Sequence, residues 1–287
     1  MERDIALRLE PGEDFVVTPH IEAICSKALA YLEAGYPIHF SGPAGVGKTT
    51  LAMHLASLRN RPVILVYGDE EFGTSDLVGG ERGVIAKRVI DNFIHSVLKT
   101  EESVRPVWVD RRLAVACKNG YTLVYDEFSR SRPEANNALL SVLEERVLCS
   151  PETLTQVHPE FRAIFTSNPQ EYAGVHKTQS ALLDRMITIK LTHYDKATEI
   201  AITQAKSGLP VQEARKLVNF IRTLRGKNSD SRPNIRACIM IAKVVQSRGG
   251  QVSARDPIFL EACLDVLGSH SDGIRGKLMR LIEKGMR

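Results

Sequence analysis

Four short aliphatic or aromatic runs punctuate the first two thirds of the chain: Pro37-Ile38-His39-Phe40, Pro62 to Val66, Thr122 to Tyr125 and Phe161 to Thr166. Several are bounded by Gly, Pro or Asn, the signature of short buried strands. Between them the apolar spacing turns helical. Lys48 to Leu58 is one such stretch. In Pro133 to Glu145, Ala135, Leu139, Val142 and Leu143 fall on one face, and Pro133 suits a first helical turn. Strands alternating with helices predict an α/β fold, a mostly parallel sheet with helices on both faces. A hairpin is expected between Val147 and Pro159. From about residue 195 the strand pattern stops. Asp195 can cap a helix opening at Lys196, and a second opens at Pro210 with Val211, Ala214, Leu217, Val218, Ile221 and Leu224 on one face. Two more are expected, from about Asn234 to Val245 and from about Pro257 to Leu267, with joints at 226–230 and 247–250. The expected organisation is an α/β domain over residues 1–195, then a small all-helical domain and C-terminal tail over 196–287.

Composition narrows the class. Of 287 residues, 43% are apolar and 25% charged, close to the globular average, which excludes disordered and fibrous chains. No apolar run approaches the roughly 18 residues of a membrane span. The charged start, Met1-Glu2-Arg3-Asp4, has no apolar segment behind it and does not read as a secretory signal. Cys25, Cys117, Cys149, Cys238 and Cys263 are scattered, which argues for reduced thiols and a cytoplasmic setting. Charge is uneven: residues 1–203 hold 22 Lys and Arg against 27 Asp and Glu, residues 204–287 hold 16 against 7. A basic C-terminal third is either a solvated helical face or a surface for an acidic partner. No stripe of aromatics interleaves its cations, which argues against nucleic acid.

The chemistry begins at Gly42-Pro43-Ala44-Gly45-Val46-Gly47-Lys48-Thr49, followed by Thr50. Two glycines spaced by four residues, then Lys and Thr, lie between a predicted strand and a predicted helix. Glycines let successive amides curl inward, and the helix N-terminus adds positive potential, so the loop can cradle a triphosphate. Lys48 would reach the β- and γ-phosphates, and the Thr49 hydroxyl could ligate Mg²⁺. The pattern therefore predicts a nucleoside triphosphate and Mg²⁺ as ligands.

Thr122-Leu123-Val124-Tyr125-Asp126-Glu127 is an apolar strand ending in two carboxylates, where open α/β sheets bind ligands. Beside a phosphate loop, Asp126 is expected to hold Mg²⁺ and Glu127 to polarise the attacking water. Asp69-Glu70-Glu71 is a rival acidic cluster, read as a loop because Tyr67 and Gly68 separate it from its strand. Phe161 to Thr166 runs into Ser167-Asn168-Pro169. Asn168 can orient the lytic water or simply open an Asn-Pro turn.

In this order, Gly42 to Thr49, Asp126-Glu127, Thr166-Ser167-Asn168-Pro169 and Leu182-Leu183-Asp184-Arg185, the residues resemble the MoxR branch of the AAA+ ATPases, and within it the group serving gas vesicles. Gly68 to Gly79, Trp108-Val109-Asp110 and Glu127 to Asn137 are the most specific pieces, and the resemblance spans roughly residues 15 to 250. It implies a P-loop NTPase domain followed by a helical lid, and an ATPase that assembles into a homo-oligomeric, hexameric ring. It implies Asn168 as the sensor-1 residue, Arg185 as an arginine finger for the neighbouring subunit, and Arg236 as the sensor-2 arginine. Small residues usually precede that arginine. Here Ser231-Arg232-Pro233-Asn234-Ile235 does, so Arg232 is an alternative, as Arg130 and Arg132 are for the finger. The implied work is remodelling or loading of gas vesicle shell or accessory proteins, in the cytoplasm or on the vesicles. The alternative within the same branch is a chaperone that activates a metalloenzyme with a von Willebrand A-domain partner.

Overall fold

A computed structural model describes residues 6–9, 12, 15–71, 73–91, 99–150, 153–169, 177–225 and 233–267. The chain enters through α1 (Pro19–Glu33), whose cap Thr18 accepts the Ile21 amide and whose first residue is proline. Then follow β1 (Ile38–Ser41), α2 (Lys48–Ser57), β2 (Val63–Tyr67) and the short α3 (Thr74–Leu77). A long antiparallel excursion, β3 (Gly79–Asp91) and β4 (Lys99–Asp110), leads to α4 (Arg112–Asn119) and β5 (Thr122–Asp126). After α5 (Pro133–Glu144), the expected hairpin forms as β6 (Val147–Cys149) and β7 (Leu154–Gln156). The α/β part closes with β8 (Arg162–Ser167), α6 (Lys177–Leu183) and β9 (Ile187–Lys190).

Five strands form one parallel sheet in the order β2-β5-β8-β1-β9. The four runs expected as strands are its four neighbouring members. The edge strand β9, the opening helix α1 and the β3–β4 excursion lie outside the sequence expectation. β9 has four residues in a strict half-exposed alternation, too short a signal to stand out. The sheet is buried on both faces, as a parallel sheet must be. Leu123, Tyr125 and Phe165 pack on one side with Leu113, Leu139 and Leu182. Val124, Ile164, Ile38 and Phe40 pack on the other with Leu32, Leu51 and Leu55. Side chains alternate across each strand, so β5 serves both cores and all five of its residues are buried.

The last described part is helical: α7 (Lys196–Ser207), α8 (Val211–Arg225), α9 (Ile235–Ser247) and α10 (Pro257–Leu267). Asp195 caps α7 by accepting the Thr198 amide at 2.7 Å. These helices share their own core around Leu217, Ile221, Ile241 and Phe259. Much of the positive charge here is paired locally: Arg222 and Arg225 on Glu199, Lys216 on Glu213, Arg248 on Glu261. Among the described residues, no helix is long and apolar enough to cross a membrane.

Candidate functional site

β8 lies between β5 and β1, with Tyr125 paired to Phe165 and Ser41 to Ser167. The carboxyl ends of these three strands therefore open side by side on one sheet edge. The phosphate loop leaves β1 there, the acid pair leaves β5, and Asn168 leaves β8. In an open parallel sheet this edge is the ligand crevice.

The loop turns into α2 through Gly47, whose φ of +84° lies in the left-handed region that a Cβ disfavours. The amides of the first turn of α2 then face the loop with the helix's positive end. Lys48 is only 8% exposed, and its Nζ donates to the carbonyls of Gly42 and Pro43, each at 2.9 Å. The ammonium is thus held within the curl of the loop. One residue on, Thr49 Oγ1 donates to Asp126 at 2.8 Å (Oδ1) and 2.9 Å (Oδ2).

Thr166 completes this arrangement, and the sequence reading did not assign it a role. Its hydroxyl donates to Asp126 Oδ1 at 2.5 Å and accepts the Glu127 amide at 2.9 Å. One side chain of β8 therefore fixes the Asp126 carboxylate and the Glu127 backbone together. A threonine one residue before a strand's end was the only signal. Glu127 needs the restraint, because its φ of 52° and ψ of 41° place a non-glycine residue in the left-handed region. Its side chain is 40% exposed, and Oε2 accepts Arg130 Nη1 at 2.9 Å. A hydroxyl beside a carboxylate at the foot of an anion-binding loop is a hard-oxygen pair. That chemistry fits Mg²⁺.

Asn168 is buried directly after β8. Beneath it a polar row crosses three strands. His39 Nε2 bonds Ser167 Oγ at 2.8 Å, His39 Nδ1 bonds Thr188 Oγ1 at 3.0 Å, and the ring meets Phe128 edge-on at 5.4 Å. Burial pushes the His39 pKa down to about 4, so the imidazole is neutral at pH 7 and can donate to one hydroxyl while accepting from the other.

A cavity of about 250 Å³ opens between the phosphate loop, the segment before α1 and the lid helices. Phe15, Val16, Tyr194 and Ile235 give it apolar walls, with Thr50 and Arg236 also facing it. An apolar cavity beside a phosphate loop can take a nucleotide base. Phe15, Val16 and Tyr194 carry no motif, so sequence reasoning had no means of finding them.

The structure thus brings together the loop, Thr49, Asp126 and Glu127 at one crevice, with Thr50 and Arg236 across the adjoining cavity. Arg185 is elsewhere, at the exit of α6. Its guanidinium holds Glu144 of α5 through Nε at 2.7 Å and through Nη2, and donates through Nη1 to the Ala181 carbonyl at 2.7 Å. Arg132 donates to the Glu70 carbonyl at 2.8 Å, so the Asp69-Glu70-Glu71 segment is a loop tied to the start of α5. Arg232 lies outside the described residues.

Residues 37–186 match the AAA domain of the dynein-related subfamily. Gas vesicle ATPase GvpN of Ancylobacter aquaticus is 49% identical over 270 residues, covering 92% of this chain and 76% of that protein. The GvpN of Haloferax mediterranei is 42% identical over 281 residues, covering 92% and 78%. More distantly, protein NorQ of Paracoccus denitrificans is 24% identical over 217 residues, covering 73% of each chain. Among solved structures, a Thermotoga maritima RuvB mutant superposes with a TM-score of 0.56 at 17% identity, covering 91% of this chain and 74% of that one, a likeness of fold. With the phosphate loop, the acid pair and the lid in place, the chain belongs to the AAA ATPases and, among them, to the gas vesicle ATPase GvpN family.

Proposed function

We propose that this ATPase works as a ring that remodels or loads gas vesicle shell or accessory proteins, and that vesicle formation requires its turnover. The observation that carries the catalytic part is the linked set Thr49, Asp126, Thr166 and Glu127 at the mouth of the phosphate loop. The gas vesicle part rests on the 49% identity to a named gas vesicle ATPase.

In this reading the loop amides and Lys48 bind the phosphates, and Lys48 exchanges the carbonyls of Gly42 and Pro43 for phosphate oxygens. Thr49 and Asp126 would hold Mg²⁺, which supplies positive charge to the β- and γ-phosphates. Glu127 accepts a proton from the attacking water through its carboxylate, and Asn168 orients that water. Phe15, Val16 and Tyr194 hold the base, and Arg236 reaches the nucleotide from the lid. Arg185 acts on the neighbouring subunit's γ-phosphate, where a cation stabilises the charge that spreads over the oxygens in the transition state. A finger supplied in trans makes hydrolysis depend on assembly, and a repeated head-to-tail contact closes into a ring when its rotation permits. The β6–β7 hairpin, with Leu154 76% exposed, is a candidate surface for an apolar protein substrate.

The test is genetic. Deleting the gene in its host should abolish buoyant vesicles. Wild-type but not Glu127→Gln protein should restore them. Normal flotation of the deletion strain would overturn the vesicle reading. The metalloenzyme-chaperone alternative has the weaker support, since the relative of that kind is 24% identical against 49%.

A further inference from the structure

Asn234 occupies the point where lid and phosphate loop meet. It caps α9, with Oδ1 accepting the Ala237 amide at 3.2 Å, and its Nδ2 donates to the Ala44 carbonyl at 3.1 Å. The two ends of one amide therefore hold two different parts of the site. One end fixes the first turn of the helix that carries Arg236, and the other fixes the loop that binds phosphates. Gly45 shows how close the approach is. A Cβ there would lie 2.2 Å from Asn234 Nδ2 and 2.5 Å from its Cγ, and the residue's φ is +75°. The phosphate-loop pattern leaves position 45 open to any residue, so docking of Asn234 is a separate reason for glycine.

Asn234 is also anchored from behind. The Pro233 carbonyl accepts Arg225 Nε at 2.8 Å. Arg225 Nη1 in turn bonds Glu199 Oε1 at 2.7 Å, and Arg222 Nη1 bonds Glu199 Oε2 at 2.8 Å. Glu199 is 1% exposed, and a buried carboxylate paired on both oxygens resists displacement, because breaking either pair leaves a buried oxygen without its cation. The amide thus projects from a fixed point of the lid core onto the loop.

We infer that Asn234 is the positioning residue that couples the phosphate loop to Arg236, so that loading of the loop sets where the lid arginine stands. Coupling of this kind is reciprocal: placement of the lid arginine tightens the loop's grip to the same degree. The inference rests on the reading of Arg236 as a nucleotide-contacting residue.

Asn234→Ser tests it in the full chain. Serine is a comparable N-cap but too short to span to Ala44. Thermal unfolding of the nucleotide-free protein should stay within a few degrees of wild type. The Kd for a fluorescent ATP analogue should rise about three- to tenfold, the loss expected for one hydrogen bond. In an Arg236→Ala background the same substitution should change Kd by less than about twofold, since residues acting through one another are not additive. Asn234→Gly, also tolerated at a cap, should repeat the result. Equal fold-changes in both backgrounds, or an unchanged Kd in the wild-type background, overturn the coupling. If Arg236→Ala alone leaves Kd and turnover at wild-type values, the lid-arginine reading itself fails, and the coupling fails with it.

Discussion

Replacing Thr166 by valine removes one hydroxyl and almost no volume, so its effect isolates two hydrogen bonds. One runs to the Asp126 carboxylate at 2.5 Å, the other comes from the Glu127 amide at 2.9 Å. A bond to a charged group contributes about 1.5–3 kcal/mol and a neutral one about 0.5–1.5 kcal/mol. Thr166 is fully buried, so water cannot replace either bond. The expected loss of stability is therefore about 2–4 kcal/mol, or roughly 3–7 °C in Tm for a chain of this size. Catalysis should suffer separately. Glu127 is held in a left-handed conformation that costs about 1–3 kcal/mol, and the hydrogen bond from its amide to Thr166, with the one its carbonyl accepts from the Arg130 amide, opposes relaxation. Once the bond to Thr166 is gone the carboxylate loses its aim, and kcat should fall at least about tenfold, while KM for ATP moves less because the loop and Lys48 are untouched. The assay is steady-state phosphate release well below the unfolding transition of both proteins. Thr166→Ser keeps the hydroxyl and should recover most of kcat. A Thr166→Val enzyme with wild-type kcat and wild-type Tm would refute the argument. A Thr166→Ser enzyme as slow as the valine variant would show that the methyl group, not the hydroxyl, matters.

Three further outcomes are expected. Lys48→Ala should abolish ATP binding, whereas Glu127→Gln should bind ATP and fail to turn it over; wild-type hydrolysis by the latter would remove Glu127 as the base. Arg185→Ala should leave binding intact and lower turnover on the order of 10³-fold. Mixing it with Lys48→Ala protein should restore part of the rate, and the absence of rescue at every ratio would exclude a finger acting in trans. His39, held near pKa 4 by burial against an ordinary value of 6.5, should take up a proton more readily in the unfolded chain. Its neutral form therefore contributes stability that is complete above pH 6.5 and falls by on the order of 3 kcal/mol as the pH drops to 4. Denaturant titrations of wild type and His39→Gln should converge over that window, and parallel curves would dismiss the effect.

Local features of this chain are legible in its sequence because they act over a few residues. The Gly42–Thr49 loop, the apolar run into Asp126-Glu127, the Asp195 cap and the faces of α5 and α8 are each written in neighbouring positions. Backbone sterics and the 3.6-residue repeat operate at that range. The tertiary structure decided what those features meet. Thr49 and Asp126 lie 77 residues apart, Asp126 and Thr166 40 apart, and Asn234 and Ala44 190 apart. No local pattern encodes such pairings: the first two follow from the strand order that threads β8 between β5 and β1, the third from α9 meeting the phosphate loop. The cavity beside the phosphate loop has the same origin. Phe15, Tyr194 and Ile235 are unremarkable apolar residues until packing of the lid against the sheet domain brings them round one space. Hydrophobic burial drives that packing without direction, so which apolar residues end as core and which as cavity wall is set by the assembled shape.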